Sequence, residues 1–388
     1  MQRRLIYVDP VSGGHHASHL AFYLDRCAVL GVELQAVAPR QVWEQAQIER
    51  TRQGGGRLLR EESRLPTGIG AKLDLLREIG AAADMAVGET AWFFPVLDDF
   101  LICLIPASMS GVVRRWSGVL FRDDFNYPRD ELARPGKMTR SLIRYLALVL
   151  TQFSSTPGIG TLSPVWKAWL PRRPTWIPDA LSISDQAEPP TGILTPRPRN
   201  DGRTRLLMFG AMAPRKGLVP MLKAIALAPP DRLGTIDLHI AGKFQDETMR
   251  REVDAILADI EKAGVRVSVE DRYLSNAELD DAIAACDLVL APYQNHIGSS
   301  GVLGQAARFG KPILGQSSYQ IGAEIRAFGL GVEVNSSSVT ALRDGLLTLM
   351  AADPATFEPG QMRLMTVRNR ATAAVALDGL ITRLWTVR

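Results

Sequence analysis

Residues 206–218 read LLMFGAMAPRKGL, and this stretch decides the fold. An apolar strand ends at Gly210, a short turn carries Arg215 beside Lys216, and a helix follows. Residues 298–314 read GSSGVLGQAARFGKPIL, in which small residues open a helix and Gly-Lys-Pro closes it into another buried strand. Strands that alternate with helices in this way are typical of an α/β protein with parallel sheets.

Both stretches also have the chemistry of a phosphate site. The start of a helix offers unpaired N–H groups and a positive dipole end. A fixed cation pair that faces such a helix start would grip a diphosphate from two sides, which predicts an enzyme acting on a nucleotide sugar. The alternatives are a solvated basic turn at Arg215 and Lys216 and a plain helix cap at Ser299, Ser300 and Gly301.

From about residue 203 to residue 331 the chain resembles the donor-binding domain of the retaining glycosyltransferase-4 group. That resemblance implies a GT-B fold, in which two Rossmann-like, doubly wound domains face a cleft. The family carries a basic turn after a strand, matched here by Gly210, Arg215 and Lys216. Its Glu-x7-Glu motif is degenerate here, since Gln305 aligns with the second Glu and Ile297 with the first.

The resemblance implies roles for these positions. Arg215 and Lys216 are the expected catalytic residues of the donor side, where they neutralise the departing diphosphate. Gln305 is either the ribose contact or an ordinary polar helix residue. His296, next to Ile297, is expected at the sugar. The predicted donor-binding residues are therefore Gly13, Gly14, Gly210, Arg215, Lys216, His296, Ser299, Ser300, Gly301 and Gln305.

The N-terminal half of the chain is also predicted to form a doubly wound domain. A strand at residues 5–8 leads into a loop with Gly13 and Gly14, a helix at residues 19–30 and a strand at residues 32–37. In the resembling family this loop faces the cleft, near the donor phosphate and the acceptor. His15 and His16 are then candidates for a general base or an acceptor contact, or they are solvent-facing residues at a helix start.

Carboxylates end two apolar runs of the first half. Asp98 and Asp99 follow one run, and Arg122 lies beside an Asp pair after another. Asp98 is a candidate base, while Asp99 and Arg122 are candidate contacts to the acceptor. The alternative for each is a helix cap or a salt bridge within a loop. No Asp-x-Asp or clustered His has metal-ligand spacing, and we expect no metal and no other cofactor.

The predicted domains are an acceptor-binding domain at residues 1–185, a linker at 186–203 rich in Pro and Gly, and a donor-binding domain at 204–370. Residues 371–388 are expected to return as a helix toward the first domain, by resemblance. Within this frame residues 51–70 are predicted to form a mobile surface loop, because they are charged and contain three consecutive Gly. Residues 362–388 are predicted to be helical throughout. A helix at Asn276–Ala285 is predicted from its capping box.

Composition favours a soluble protein. The 388 residues are 46% apolar and 22% charged, with a net charge of +4. Three cysteines lie in apolar surroundings without metal-ligand spacing, which predicts buried thiols in a cytoplasmic protein. We expect no signal peptide and no membrane span, because Asp98 and Asp99 interrupt the most apolar window. No feature points to a nucleic-acid partner.

One segment has a pattern that is compatible with peripheral contact to the inner face of the membrane. Residues 137–153 combine cations with apolar residues at helical spacing. Such a stretch docks on anionic lipid in some proteins. A buried helix with a basic first turn is the more common reason for the pattern.

The sequence thus predicts a glycosyltransferase that moves a sugar from a nucleotide-diphosphate donor, with UDP favoured on family frequency, to an unidentified acceptor. Retention of configuration is expected from the family alone. Two alternatives remain. One is a catalytically degenerate domain kept as a partner or scaffold, which the missing Glu pair favours. The other is a nucleotide-sugar 2-epimerase, against which the replacement of a ribose-binding carboxylate by Gln305 argues.

Overall fold

The computed structural model describes residues 2–12, 16–52, 54, 56–83, 89–127, 135–153, 156–179 and 202–386. The chain forms two compact units, of which the first is Met1–Leu181 with Asn369–Arg388 and the second is Ser182–Arg368. The predicted linker, except for residues 202 and 203, lies outside the described residues. So do Gly13, Gly14 and His15.

The first unit contains a seven-stranded sheet in which every paired strand is parallel, in the order β3-β2-β1-β4-β5-β6-β7. Its strands are β1 (Arg3–Val8), β2 (Val32–Ala38), β3 (Gly56–Glu61), β4 (Glu89–Phe94), β5 (Trp116–Leu120), β6 (Gly160–Thr161) and β7 (Thr175–Trp176). The helices that connect them are α1 (His16–Val29), α2 (Arg40–Glu49), α3 (Ile69–Ala82), α4 (Leu101–Met109) and α5 (Pro135–Thr151).

Both faces of this sheet are covered. Leu5 and Tyr7 of β1 belong to one apolar cluster, which includes side chains of α1 and α2. Ile6 and Val8 point to the opposite face and belong to a second cluster, which includes side chains of α3 and α4. This alternation with a period of two residues, with apolar side chains on both faces, is what a buried parallel strand requires.

The prediction of a mobile loop at residues 51–70 was wrong for residues 56–61 and for residues 69 and 70, where α3 begins. Residues 56–61 form β3, which pairs with β2 at the edge of the sheet. Gly56 fits this position because a Cβ there would lie 2.4 Å from Leu24 Cδ2 and 3.1 Å from the Leu34 carbonyl oxygen. A glycine that looked like a helix breaker therefore permits close packing of a strand.

The second unit has a six-stranded sheet, again parallel throughout, in the order β10-β9-β8-β11-β12-β13. Its strands are β8 (Thr204–Phe209), β9 (Ile236–Ala241), β10 (Arg266–Glu270), β11 (Leu288–Ala291), β12 (Ile313–Gln316) and β13 (Gly331–Val334). Its helices are α6 (Leu218–Ala226), α7 (Pro230–Leu233), α8 (Glu247–Lys262), α9 (Asn276–Ala285), α10 (Gly301–Arg308), α11 (Tyr319–Phe328), α12 (Val339–Ala351) and α13 (Glu358–Val367). The capping box predicted for α9 is confirmed, with Ser275 and Glu278 as its partners.

The prediction of one helix over residues 362–388 was wrong at its middle. The chain leaves α13 at Arg368 and starts α14 (Arg370–Thr386) two residues later. Arg368 turns into the second unit, where its guanidinium donates to Glu324 at 3.2 Å and to the Ser300 carbonyl at 3.3 Å. Asn369 accepts a bond from the Thr372 N–H at 2.9 Å and so caps α14. The two helices serve different units.

Helix α14 completes the core of the first unit. Leu377, Leu380, Ile381 and Leu384 are buried in the same cluster as Leu5 and Tyr7. Arg26 of α1 donates two hydrogen bonds to Asp378, which fixes α14 beside α1. Among the described helices, none is long and apolar enough to cross a bilayer.

Candidate functional site

The second unit gathers polar side chains where β8 and β11 end. These two strands are neighbours at the centre of the sheet. The strand that follows β8 in the chain, β9, lies on one side of the pair, and the strand that follows β11, β12, lies on the other side. Such a switch point opens a crevice at the carboxyl ends of the strands, which is where open α/β sheets bind their ligands. Lys216 follows β8 and Tyr293 follows β11.

Lys216 is buried, with a residue exposure of 7%. It ends a short 3₁₀ turn, Pro214–Lys216, and its Nζ donates to the Phe209 carbonyl at 3.1 Å and to Tyr293 Oη at 2.8 Å. The ammonium also lies 4.7 Å from the centre of the Tyr293 ring. Within the part of the chain that the structure describes, no carboxylate forms an ion pair with Lys216. This geometry excludes the solvated basic turn as an account of Lys216.

Tyr293 connects Lys216 to the start of α10. Its hydroxyl lies 2.8 Å from Ser300 Oγ, and Ser300 is the N-cap of α10, accepting from the Val302 N–H at 3.3 Å. Lys216 and Ser300, two residues predicted at the donor site, thus meet through one hydroxyl group. The positive end of the α10 dipole and the ammonium lie on the same side of the site, so both favour an anion there.

Two glycines allow the turn to approach its neighbours. Gly210 has φ of 93°, and a Cβ at this position would lie 3.2 Å from Lys216 Nζ. Gly217 has φ of 78°, and its Cβ would lie 1.9 Å from the Pro292 carbonyl oxygen. The turn therefore packs directly on the loop that follows β11, which the hydrogen bond from Gln294 N–H to the Arg215 carbonyl at 2.8 Å reinforces.

The other predicted donor residues of the second unit lie on the same turn, on the loop after β11 and on α10. The Arg215 side chain is exposed. His296 packs its ring 4.9 Å from the Tyr293 ring and places Nε2 3.0 Å from the Ser299 carbonyl oxygen. Gly301 begins α10 and Gln305 lies one turn further in, partly buried. His296 thereby braces the loop that leads into α10.

Sequence reasoning missed two residues of this site. Tyr293 had a signal that could have identified it, since a polar aromatic residue two positions after a buried strand lies at the ligand-binding edge of the sheet. Arg368 had none, because its contact with Ser300 joins residues far apart in the chain. Arg368 and Glu324 form a buried ion pair, and Glu324 also accepts from Gln320 Nε2 at 2.8 Å.

The first unit places a carboxylate and a histidine together at the carboxyl end of β1. Asp9 is buried, and its Oδ2 lies 2.8 Å from His16 Nδ1 at the start of α1. Tyr7 Oη donates to the same oxygen at 3.3 Å. The hydrogen bond to Asp9 raises the pKa of His16, and the nearby charge of Asp99 adds to the effect. Asp9 fixes the ring through Nδ1, which is the arrangement of an oriented base.

The Asp98 side chain binds the backbone of the segment that follows β5. Its carboxylate accepts from the Phe121 N–H at 2.7 Å and the Arg122 N–H at 3.0 Å. Burial raises the pKa of Asp98 to about 6 in spite of these bonds. The Asp99 carbonyl accepts a bond from Lys72, and the Arg122 side chain is exposed. These contacts are those of a loop that is held together at the end of β4.

No protein-family model and no curated protein matches the chain. Solved structures do match over its whole length. A sucrose-phosphate synthase from Thermosynechococcus elongatus is 14% identical with a TM-score of 0.66, and 100% of each chain is covered. A UDP-forming trehalose-phosphate synthase from Burkholderia vietnamiensis is 11% identical with a TM-score of 0.65 and the same coverage. The chain has the GT-B fold.

A third similar structure carries ligands. HepE from Anabaena, crystallised with UDP and glucose, is 14% identical with a TM-score of 0.60, and 98% of this chain and 100% of that one are covered. The predicted fold is therefore confirmed. At sequence identities of 11–14%, these similarities establish the fold and nothing further.

Proposed function

We propose that the protein is a glycosyltransferase whose second unit binds a nucleotide-diphosphate sugar, with UDP as the nucleotide. The GT-B fold supports the enzyme class. Two similar structures support the nucleotide, since one synthase is UDP-forming and HepE was crystallised with UDP and glucose. Three buried free thiols support a cytoplasmic location.

The observation that carries the proposal is the buried ammonium of Lys216, which has no carboxylate partner among the residues that the structure describes. Removing a charge from water is costly unless an opposite charge or strong hydrogen bonds replace the lost solvation. Lys216 uses two of its three N–H donors on Phe209 and Tyr293, both of them neutral acceptors. A donor diphosphate would provide the missing negative charge and accept the third bond.

The same groups suit the chemistry of transfer. Negative charge accumulates on the diphosphate as the bond to the sugar breaks, and cations fixed in advance stabilise that charge. Lys216, Arg215 and the N-terminus of α10 would supply positive charge in place of a metal, so we expect no metal requirement. Retention follows from the family resemblance. The first unit would bind the acceptor, with His16, oriented by Asp9, as its candidate base or hydroxyl contact.

Nucleotide binding tests this proposal directly. We expect UDP to raise the melting temperature more than GDP, dTDP or ADP, because a ligand that binds the native state alone stabilises it by about 2.7 kcal/mol at a hundred times its Kd. The Lys216→Met variant should lose the shift. Lys223→Met is the matched control, since Lys223 is an exposed lysine of α6 in the same unit. A shift that survives Lys216→Met, or no shift with any nucleotide, would refute the donor site.

A second candidate is a non-catalytic partner protein with the same fold. Ile297 and Gln305 favour it, because they occupy the positions of the two motif glutamates in the resembling family. The two candidates differ in turnover. We expect a transferase to release some UDP from its UDP-sugar with water as the acceptor, and we expect Lys216→Met to remove that release. A chain that binds UDP but releases none from any UDP-sugar would be the non-catalytic protein.

A further inference from the structure

The outward side of α5 is apolar. Five side chains on this side or just beyond its end are between 47% and 73% exposed, and we call them the apolar face of α5: Leu142, Ile143, Leu146, Leu150 and Phe153. Trp169 lies nearby, 67% exposed, and its carbonyl accepts a bond from Tyr145 of α5 at 2.7 Å. A surface helix of a soluble protein ordinarily turns its polar side to water. A contiguous apolar area of this kind marks an interaction site.

Polar contacts fix the helix in this orientation. Its inward side carries Ser141, Arg144, Thr151 and Gln152 beside Ala147 and Leu148. The Arg144 guanidinium bonds to the Asp124 carboxylate and the Arg122 carbonyl. Gln152 accepts from the Arg172 N–H at 2.7 Å. Rotating α5 to bury its leucines would break these contacts, so exposure of the apolar face is part of the fold.

Cations predominate in the sequence of α5 and of the segment that follows it. Residues 132–178 contain seven Lys and Arg and no Asp or Glu. Of these cations, Lys167, Arg172 and Arg173 are exposed beside Trp169. A helix with an apolar exposed side and flanking cations is the pattern of a helix that lies in the interface of an anionic membrane. Aromatic side chains such as Trp169 prefer the level of the lipid headgroups.

We propose that the apolar face of α5 docks on the surface of an anionic lipid bilayer. Leu142, Leu146 and Leu150 would enter the boundary of the acyl chains, while Lys167 and Arg173 contact the phosphates of the headgroups. A second copy of this chain fits less well. In a twofold interface the same surface meets itself, so the cations of one copy would face those of the other.

Vesicle binding tests this proposal without any nucleotide, so its result is independent of the proposed function. The full chain should cosediment with vesicles of equal parts phosphatidylcholine and phosphatidylglycerol, and much less with phosphatidylcholine alone. Binding should weaken as salt is added, because the headgroup contacts are screened. Replacing Leu146 and Leu150 together by Gln should weaken binding at least about tenfold, since each loses several buried CH₂ groups.

Matched variants separate the face from general hydrophobicity. Ile48→Gln with Val375→Gln removes two exposed apolar side chains elsewhere in the same unit and should leave binding unchanged. Lys167→Gln with Arg173→Gln should weaken binding to anionic vesicles alone. Melting temperatures check that each variant folds. The proposal is overturned if the wild-type chain does not cosediment with anionic vesicles, or if the variant with Gln at positions 146 and 150 binds them as strongly as wild type. A lipid-free dimer that this double substitution dissociates also overturns it, because the face would then be an interface between copies.

Discussion

The Tyr293 hydroxyl lies 2.8 Å from Lys216 Nζ and 2.8 Å from Ser300 Oγ, and so joins the basic turn after β8 to the start of α10. We expect Tyr293→Phe to weaken UDP binding at least about tenfold, because a hydrogen bond to a charged group contributes about 1.5–3 kcal/mol. Phe keeps the ring against Lys216. Isothermal titration of UDP measures the change, with Tyr273→Phe as the control because Tyr273 is exposed. Equal Kd values in all three proteins would rule out a role for the hydroxyl.

Gly217→Ala should destabilise the second unit. The substitution forces a side chain into a left-handed conformation and brings its Cβ to 1.9 Å from the Pro292 carbonyl oxygen. Strain of this kind costs about 1–3 kcal/mol. Gly234→Ala is the matched control, because Gly234 has helical φ and ψ and no atom within 4 Å of the added Cβ. Urea unfolding compares the two. A Gly217 variant as stable as the Gly234 variant would contradict the packing of the turn.

The stability of the first unit should fall as pH rises through the weakly acidic range. Burial raises the pKa of Asp98 to about 6 and of Asp123 to about 7, from an ordinary value of 3.8. Between these limits the folded chain binds more protons than the unfolded chain, so the free energy of unfolding decreases as pH rises. Asp123→Asn should therefore reduce the loss between about pH 5 and pH 8, whereas the exposed Asp231→Asn should not.

Urea midpoints at the two pH values give this comparison. If Asp123→Asn and wild type lose the same stability over that range, Asp123 is charged in the folded state already at the lower pH.

Asp9→Asn should lower the pKa of His16. The hydrogen bond between Asp9 Oδ2 and His16 Nδ1 is the main cause of the raised value, and a neutral amide stabilises the imidazolium less. NMR titration of the imidazole signals measures the change for each of the five histidines. His239, which bonds to Glu270 in the second unit, serves as the internal control and should not shift. A His16 pKa that is the same in both proteins would show that Asp9 does not tune this ring.

Local sequence patterns predicted the two sheets. They did not predict the elements whose structure depends on contacts with residues distant in the chain. Apolar runs that end at turn residues predicted five of the six strands of the second unit within about two residues, at residues 205–209, 235–241, 265–269, 288–291 and 312–314, whereas β13 was not predicted. Strand β3 was not predicted, because three glycines and several charged residues obscure its pattern and it pairs only with β2. The break at Arg368 could not be predicted either, since its cause is the buried Glu324, distant in sequence. Neither contact has a local signature.

The site shows the same division. The motif predicted that Lys216 and Ser300 lie at one site. The burial of Lys216 depends on Tyr293 and on the turn at Gly217, which the motif does not reveal. Asp9 directly follows β1, and only the structure reveals that it orients His16. Exposure of the apolar face of α5 was also beyond the sequence. Periodicity shows that one side is apolar, but the contacts of Arg144 and Gln152 determine that this side faces water.

Helix α14 has a consequence for how the protein is made. Its leucines complete the core that β1 begins, although the ribosome synthesises them only after the entire second unit. The second unit is one uninterrupted stretch of chain and can close as soon as it emerges, whereas the first must wait with part of its core uncovered. During translation we therefore expect the apolar side chains of β1 to stay partly exposed until α14 has been synthesised.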